Sequence, residues 1–267
     1  MQLTIAGYGS IGHYIESVFG RKHEIRVYDP PCGFNDETLL RETDFVFVCV
    51  PTPPRDDGSC DTNIVEQVVS LASPRFAIVC ESTLPVGTTD RLISRHGKPL
   101  VFVPEYAGDT PDHPLRDPRN RDFFIYGGYE PAASAVREVF EGVYPPHARH
   151  TVVEPRVAEL VKYMENSFLA LKVTFCNEFF DLCGAFGAPY EQVRDLWAQD
   201  SRIGSSHTNV TPERGFGGKC LPKDVAAICS TARDADVPLQ LMETVQRVNA
   251  RLRLAALDSS QDTLSRP

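Results

Sequence analysis

The chain reads as an α/β protein, with a parallel sheet in its first half and a mostly α-helical domain after it. Three observations lead there. Short runs rich in β-branched and aromatic residues alternate with helical stretches up to about residue 150. A glycine-rich turn, Gly7-Tyr8-Gly9-Ser10-Ile11-Gly12, joins the first run to the first helix. Past Thr151 the strand pattern stops and apolar residues recur at helical spacing. Strands alternating with helices imply a parallel sheet covered on both faces, here of Rossmann type.

Each element has its own warrant. Leu3–Ala6, Ile25–Tyr28, Phe45–Val50, Ala77–Cys80, Leu100–Val103 and Phe123–Tyr126 read as strands, bounded by Gly, Pro or charge. Ile11–Phe19, Asn63–Leu71, Thr88–Arg95 and Ala132–Phe140 read as the intervening helices. Val157, Leu160, Val161, Met164, Phe168, Leu171 and Phe175 mark a long helix from Arg156 to about Gly184, with Pro155 a fitting start. Pro189–Gln199, Lys223–Ala235 and Leu239–Leu257 also read as helical. The expected organisation is a nucleotide domain over 1–150, a helical domain over 151–257 and a frayed polar tail over 258–267.

Composition narrows the function classes. The 267 residues, 42% hydrophobic, suffice for two domains, each with a core. A formal net charge of −9 argues against a general nucleic-acid or anionic-membrane surface. The longest apolar stretch, Phe45–Val50, is too short to cross a bilayer, and Met1–Ile5 lacks the basic start of a signal peptide. Eight cysteines without CxxC pairs suggest reduced thiols in a cytoplasmic protein, and no HxxxH pair supports a metal site.

The first glycine turn carries a cofactor expectation. Gly7, Gly9 and Gly12 allow a tight turn, close approach to a pyrophosphate and helix–strand packing, with Ser10 and Ile11 opening the helix. GxGxxG alone is a weak signal, but this one follows a strand, and Asp29 ends the next strand about twenty residues on. An acid there bonds the ribose hydroxyls and repels a 2′-phosphate, so NAD is favoured over NADP.

A second glycine segment carries the chemistry. Gly215-Phe216-Gly217-Gly218-Lys219-Cys220-Leu221-Pro222-Lys223-Asp224 sets a thiol and an acid four apart at a helix start, with Pro222 expected at the first helical position. A helix N-terminus and two flanking lysines favour thiolate, making Cys220 a candidate nucleophile. Taken alone, the segment equally suits a glycine loop capping a helix around a small buried cysteine.

Several motifs then agree with one family. Gly7–Gly12 with Asp29, Val50-Pro51-Thr52-Pro53 followed by Asp57-Gly58 and Asp61, Glu81–Thr89, and Pro104-Glu105-Tyr106 stand in order in the first half. Ala158–Tyr163 with Asn166, Asn177-Glu178, Arg202-Ile203-Gly204 and Gly215–Asp224 follow in the second. The chain resembles the UDP-glucose/GDP-mannose dehydrogenase family over nearly its whole length. That family oxidises the primary alcohol of a nucleotide sugar to a carboxylate with two NAD⁺.

The resemblance implies roles for particular residues. Cys220 is the implied nucleophile and Asp224 acts in proton transfer with a water. Lys162 and Asn166, one helical turn apart, stabilise oxyanions. Glu105 is the implied base for thioester hydrolysis, and Thr83 holds the water. The first alcohol proton could go to Asp224 through water or to Lys162. Pro51, Thr52 and Thr83 join the glycine turn at the cofactor. Tyr106, Asp109, Gly215, Phe216, Gly217 and Gly218 join Glu105, Lys162 and Asn166 at the substrate. Arg202 resembles an arginine that reaches the substrate of a neighbouring subunit, implying a homodimer through the helix 156–184.

The chain also departs from the family pattern. Members normally continue into a third domain that helps hold the nucleotide; here the sequence stops soon after the helix Leu239–Leu257, so a compact form is expected. The stretch after Asp29 is short, and Asp109 stands where a glutamate is usual, implying an altered substrate pocket. Two other readings remain. One is a two-electron hydroxyacid-type dehydrogenase on a smaller or nucleotide-like alcohol, which needs no cysteine. The other is a non-catalytic NAD-binding protein, or a subunit that needs a partner chain.

Overall fold

The computed structural model describes residues 1–106, 115 and 117–264, with side chains up to 258. Among the described residues seven strands form one sheet: β1 (Gln2–Ala6), β2 (Glu24–Tyr28), β3 (Phe45–Val48), β4 (Ala77–Cys80), β5 (Leu100–Phe102), β6 (Phe123–Gly127) and β7 (Arg149–Val153). The order is β2-β1-β3-β4-β5-β6-β7. The first five strands are parallel and β6 pairs with β7 in parallel. The join between them, β5 with β6, is antiparallel. The fully parallel sheet expected from sequence is therefore mostly parallel. An antiparallel neighbour needs no crossover helix, and none was expected between those two strands. β7 was not anticipated; its half-exposed residues Arg149–Val153 give a weak strand signal.

Burial on both faces explains the apolar runs. β3 (FVFV) and β4 (AIVC) are buried at every position, as parallel strands under helices require. Alternate residues face opposite sides. Leu3, Ile5, Phe45, Phe47 and Val79 join one core with α1 (Ser10–Phe19) and α4 (Ala132–Glu141). Ala6, Val46, Val48, Ile78 and Cys80 join the other with α2 (Asn63–Leu71) and α3 (Thr88–His96). A one-residue slip of β3 would exchange both sets, so the alternation fixes register.

The chain divides into two compact units, Met1–Arg55 with Cys60–Lys162, and Asp56–Ser59 with Tyr163–Pro267. Four helices follow the sheet: α5 (Pro155–Ala185), α6 (Tyr190–Trp197), α7 (Leu221–Asp234) and α8 (Gln240–Leu264). Helix α8 runs past the expected end at Leu257. In the second unit Ala170 and Val173 of α5, Val225 and Cys229 of α7, and Met242 and Val245 of α8 close around Phe216. Among the described residues no helix is long and apolar enough to cross a membrane.

Candidate active site

Strand order reverses between β1 and β3, and ligands of such sheets sit in the crevice beyond the strand ends there. The first glycine turn lies at that place. Gly7 has φ +95, and a Cβ on it would lie 2.7 Å from the Cys49 carbonyl oxygen at the end of β3. A Cβ on Gly12 would lie 2.3 Å from the Gly7 oxygen, so this glycine lets α1 seat against the turn. A Cβ on Gly9 would meet nothing within 4 Å, leaving open space before the N-terminus of α1. The three glycines thus do the three jobs a dinucleotide loop needs: turn, approach and packing. Asp29, at the end of β2, accepts from the Tyr8 N–H at 2.6 Å and from the Cys32 N–H at 3.3 Å. It ties the loop to the neighbouring strand as well as presenting a carboxylate. Ser10 and Pro51 are exposed, Ile11 is half-buried and Thr52 is buried. The residues present fit NAD.

The rest of the first unit gathers Glu105, Tyr106 and Lys162. Lys162 Nζ donates to the Glu105 carbonyl oxygen at 2.6 Å and sits 4.5 Å from the Tyr106 ring centre. A cation over a ring face adds attraction and fixes the amine. Glu105 Oε1 accepts from the Tyr106 N–H at 2.7 Å and from Arg121 Nη1 at 3.0 Å. Arg121 is 1% exposed, an ion pair removed from water. Thr83, just beyond β4, is half-buried. Its segment is anchored by Glu159 of α5, which is fully buried and accepts from Gly87 N–H, Thr89 N–H and Thr89 Oγ1 at 2.6, 2.9 and 2.7 Å. Burial pushes the Glu159 carboxyl up, and these three donors partly counter it.

The second unit gathers Cys220, Asp224 and Asn166. Cys220 is the N-cap residue of α7, which begins at Leu221, so Pro222 takes the second helical position rather than the first. The thiol is exposed, unlike the small buried cysteine of the bland alternative. Asp224 is 1% exposed; its N–H donates to the Cys220 carbonyl at 2.9 Å. Its carboxylate accepts from Asn166 Nδ2 at 2.5 Å and from Lys223 Nζ at 2.7 Å. Lys162 and Asn166 lie a turn apart on α5, as expected, but each has its own partner: Glu105 for the lysine, Asp224 for the asparagine.

Two asparagines shape the glycine segment ahead of Cys220. Asn249 of α8 accepts from the Phe216 N–H at 2.6 Å and donates to the Phe216 carbonyl at 3.0 Å. Asn177 of α5 accepts from the Gly215 N–H at 3.0 Å and from Arg214 Nε at 2.8 Å. A Cβ on Gly215 would lie 2.3 Å from Asn249 Oδ1, so that clamp requires glycine. Gly217 passes Arg253 and Gly218 faces open space. The Arg202 side chain is 86% exposed and pairs with Asp200 through Nε and Nη2. Asp109 lies outside the described residues. Sequence reading did not find Arg121, Glu159 or Asn249 as site supports. The signal for Glu159 was its place three residues before Lys162; Arg121 and Asn249 sit in runs that look solvated.

Comparisons with known proteins show the family and the fold. The NAD binding domain of the UDP-glucose/GDP-mannose dehydrogenase family matches residues 34–148, and the central domain of that family matches residues 156–251. The UDP-glucose 6-dehydrogenase of Rhizobium meliloti is 35% identical over 235 residues, covering 81% of this chain and 53% of the relative. That of Pseudomonas aeruginosa is 32% identical, covering 79% of this chain and 49% of its own length. The chain therefore spans about half the length of the curated relatives it matches. A UDP-glucose dehydrogenase structure from Pyrobaculum islandicum superposes with TM-score 0.81 at 25% identity, over 94% of this chain and 68% of that one. The two domain matches together cover most of the sequence, and the chain belongs to the UDP-glucose/GDP-mannose dehydrogenase family.

Proposed function

We propose that the chain oxidises the primary alcohol of a nucleotide sugar to a carboxylate, releasing four electrons as two hydrides. The observation that carries this reading is Cys220, an exposed thiol capping α7 behind a clamped glycine loop and four residues before a buried acid. NAD⁺, when bound, supplies the hydride acceptor for both steps. Gly7, Gly9, Ser10, Ile11 and Gly12 would hold its pyrophosphate, Asp29 its ribose, and Pro51, Thr52 and Thr83 would line the far side.

The chain's own residues divide the remaining work. Lys162 and Asn166 stabilise the alkoxide and, later, the thiohemiacetal oxyanion. Lys162 then exchanges the Glu105 carbonyl for the substrate oxygen. The Cys220 thiolate adds to the aldehyde carbon, which retains the intermediate and creates the second hydride donor. Loss of that hydride leaves a thioester. Glu105 takes a proton from a water held by Thr83, the water oxygen bonds to the acyl carbon, and the C–S bond breaks to return the thiolate. Asp224 serves proton transfer through water. Tyr106 of the first unit and Gly215–Gly218 of the second are the residues expected at the substrate.

The same reading makes a homodimer through α5. Leu160, Met164, Phe168, Phe175, Phe179 and Leu182 are 41–78% exposed at three-, four- and seven-residue steps. An apolar stripe of that spacing suits a helix partner. Arg202, released from Asp200, would then reach the partner's substrate.

The test is NADH release from UDP-glucose, GDP-mannose and UDP-N-acetylhexosamines, with hydride stoichiometry. The reading expects two NADH per substrate, lost in Cys220→Ala. One NADH, insensitive to Cys220→Ala, would make this a two-electron dehydrogenase. NAD binding with no turnover would leave a non-catalytic or partner-dependent protein.

A further inference from the structure

Glu81 follows β4 directly, and the catalytic reading gives it no task. It is 6% exposed, and no donor among the described residues reaches either carboxyl oxygen. The group beside it is another buried carboxyl, that of Glu105, 8% exposed. Two ionised carboxylates side by side offer acceptors only, with no donor between them. A buried carboxylate without a donor is costly, so the arrangement calls for a proton.

The surrounding groups decide how many charges the cluster holds. Burial pushes Cys80 of β4 and Tyr14 of α1 up to about 12. It also raises Cys49 beyond β3, Tyr126 of β6 and Tyr144 beyond α4. These thiols and phenols stay neutral at physiological pH. Among the described residues Glu81, Glu105, the buried Arg121 and Lys162, which donates to the Glu105 backbone carbonyl, remain. Arg121 pairs with the Glu105 carboxylate and Lys162 with the Glu105 carbonyl, so an ionised Glu81 would be a buried charge bonded to neither cation.

The donors settle which carboxyl is neutral. Glu105 Oε1 already accepts from two donors, Arg121 Nη1 and the Tyr106 N–H. Glu81 has no such donors. Burial first, and the Glu105 charge second, hold the Glu81 carboxyl well above the usual range.

We propose that Glu81 is a positioning residue that stays protonated and donates its O–H to the Glu105 carboxylate, keeping that group ionised and aimed. The catalytic consequence rests on Glu105 being the base for thioester hydrolysis. Glu81 neither gains nor loses a proton in that step: the water proton goes to Glu105 and the thiolate leaves.

The experiment is 13C NMR of side-chain carboxyls in the full chain labelled at glutamate, with Glu81→Gln for assignment. Expected is one protonated carboxyl at pH 7 that vanishes in Glu81→Gln. If every carboxyl is ionised at pH 7, the proposal is overturned, whether or not the chain turns substrate over. In turnover, Glu81→Leu should move the acid limb of the pH–rate profile up by about one unit, the worth of one hydrogen bond to a charged group. Glu81→Gln, whose amide still donates, should leave the limb in place and provides the folded control. An unmoved limb in Glu81→Leu also overturns the proposal. If Glu105→Gln retains full turnover, the base assignment fails while the NMR result stands by itself.

Discussion

Removing Asn166 should expose how much of the second unit rests on one buried acid. The Asp224 side chain is 2% exposed and has two donors, Asn166 Nδ2 at 2.5 Å and Lys223 Nζ at 2.7 Å. Asn166→Ala takes the donor from Oδ2 at a position that is 5% exposed. A hydrogen bond to a charged group contributes roughly 1.5–3 kcal/mol, and an orphaned buried acceptor sits at the upper end. The expected loss is about 3 kcal/mol, more than a hundredfold in the folding equilibrium. Asp224→Ala removes the acid that needed the donor, so the double variant should lose less than the sum. A coupling of about 2 kcal/mol is expected for such a pair. Urea unfolding followed at Trp197, the chain's single tryptophan and a residue of the same unit, reads it directly. Coupling within about 0.5 kcal/mol of zero would refute a buried, donor-dependent Asp224.

Three further outcomes follow from the same geometry. Gly7→Ala places a Cβ 2.7 Å from a backbone oxygen at φ +95; a loss of about 2–4 kcal/mol and weaker NADH binding by fluorescence titration are expected, and unchanged binding would contradict the loop assignment. Glu159→Ala strips three hydrogen bonds from the start of α3; amide exchange in Gly87–Thr89 should accelerate by at least tenfold, and unchanged exchange would deny the anchor. Glu81, raised from 4.5 by burial and by Glu105, keeps a proton on folding that the unfolded chain releases, so its stability contribution is full below about 4.5 and falls as pH rises toward the folded value. Glu81→Gln should match the parent near pH 4 and exceed it at pH 8; a constant difference across that range would show that the side chain folds ionised.

What sequence could and could not foresee follows from which interactions are local. β3, β4 and the helices α1–α4 were legible because FVFV, AIVC and the amphipathic stripes record their own burial. The two glycine segments were legible because turns and close approaches leave few residue choices. β7 was not, since an edge strand with polar, half-exposed residues resembles a loop. The supports of the site were hidden for a different reason. Arg121 lies in Arg119-Asn120-Arg121-Asp122, which reads as solvated, and only tertiary pairing with Glu105 turns it inward. Asn249 sits mid-helix, and its two bonds to Phe216 span 33 residues. Lys162 and Asn166 were rightly placed on one helix, but only the fold reveals that their partners are a backbone carbonyl and a buried acid.

The central claim is a covalent intermediate on Cys220, and mass spectrometry of the acid-quenched reaction tests it most directly. With Glu105→Gln, thioester hydrolysis should stall while both oxidations proceed. The account predicts a sugar-acyl adduct on the peptide bearing Cys220, accumulating with two NADH per adduct. NADH release with every cysteine unmodified, in the parent and in Glu105→Gln alike, would contradict it.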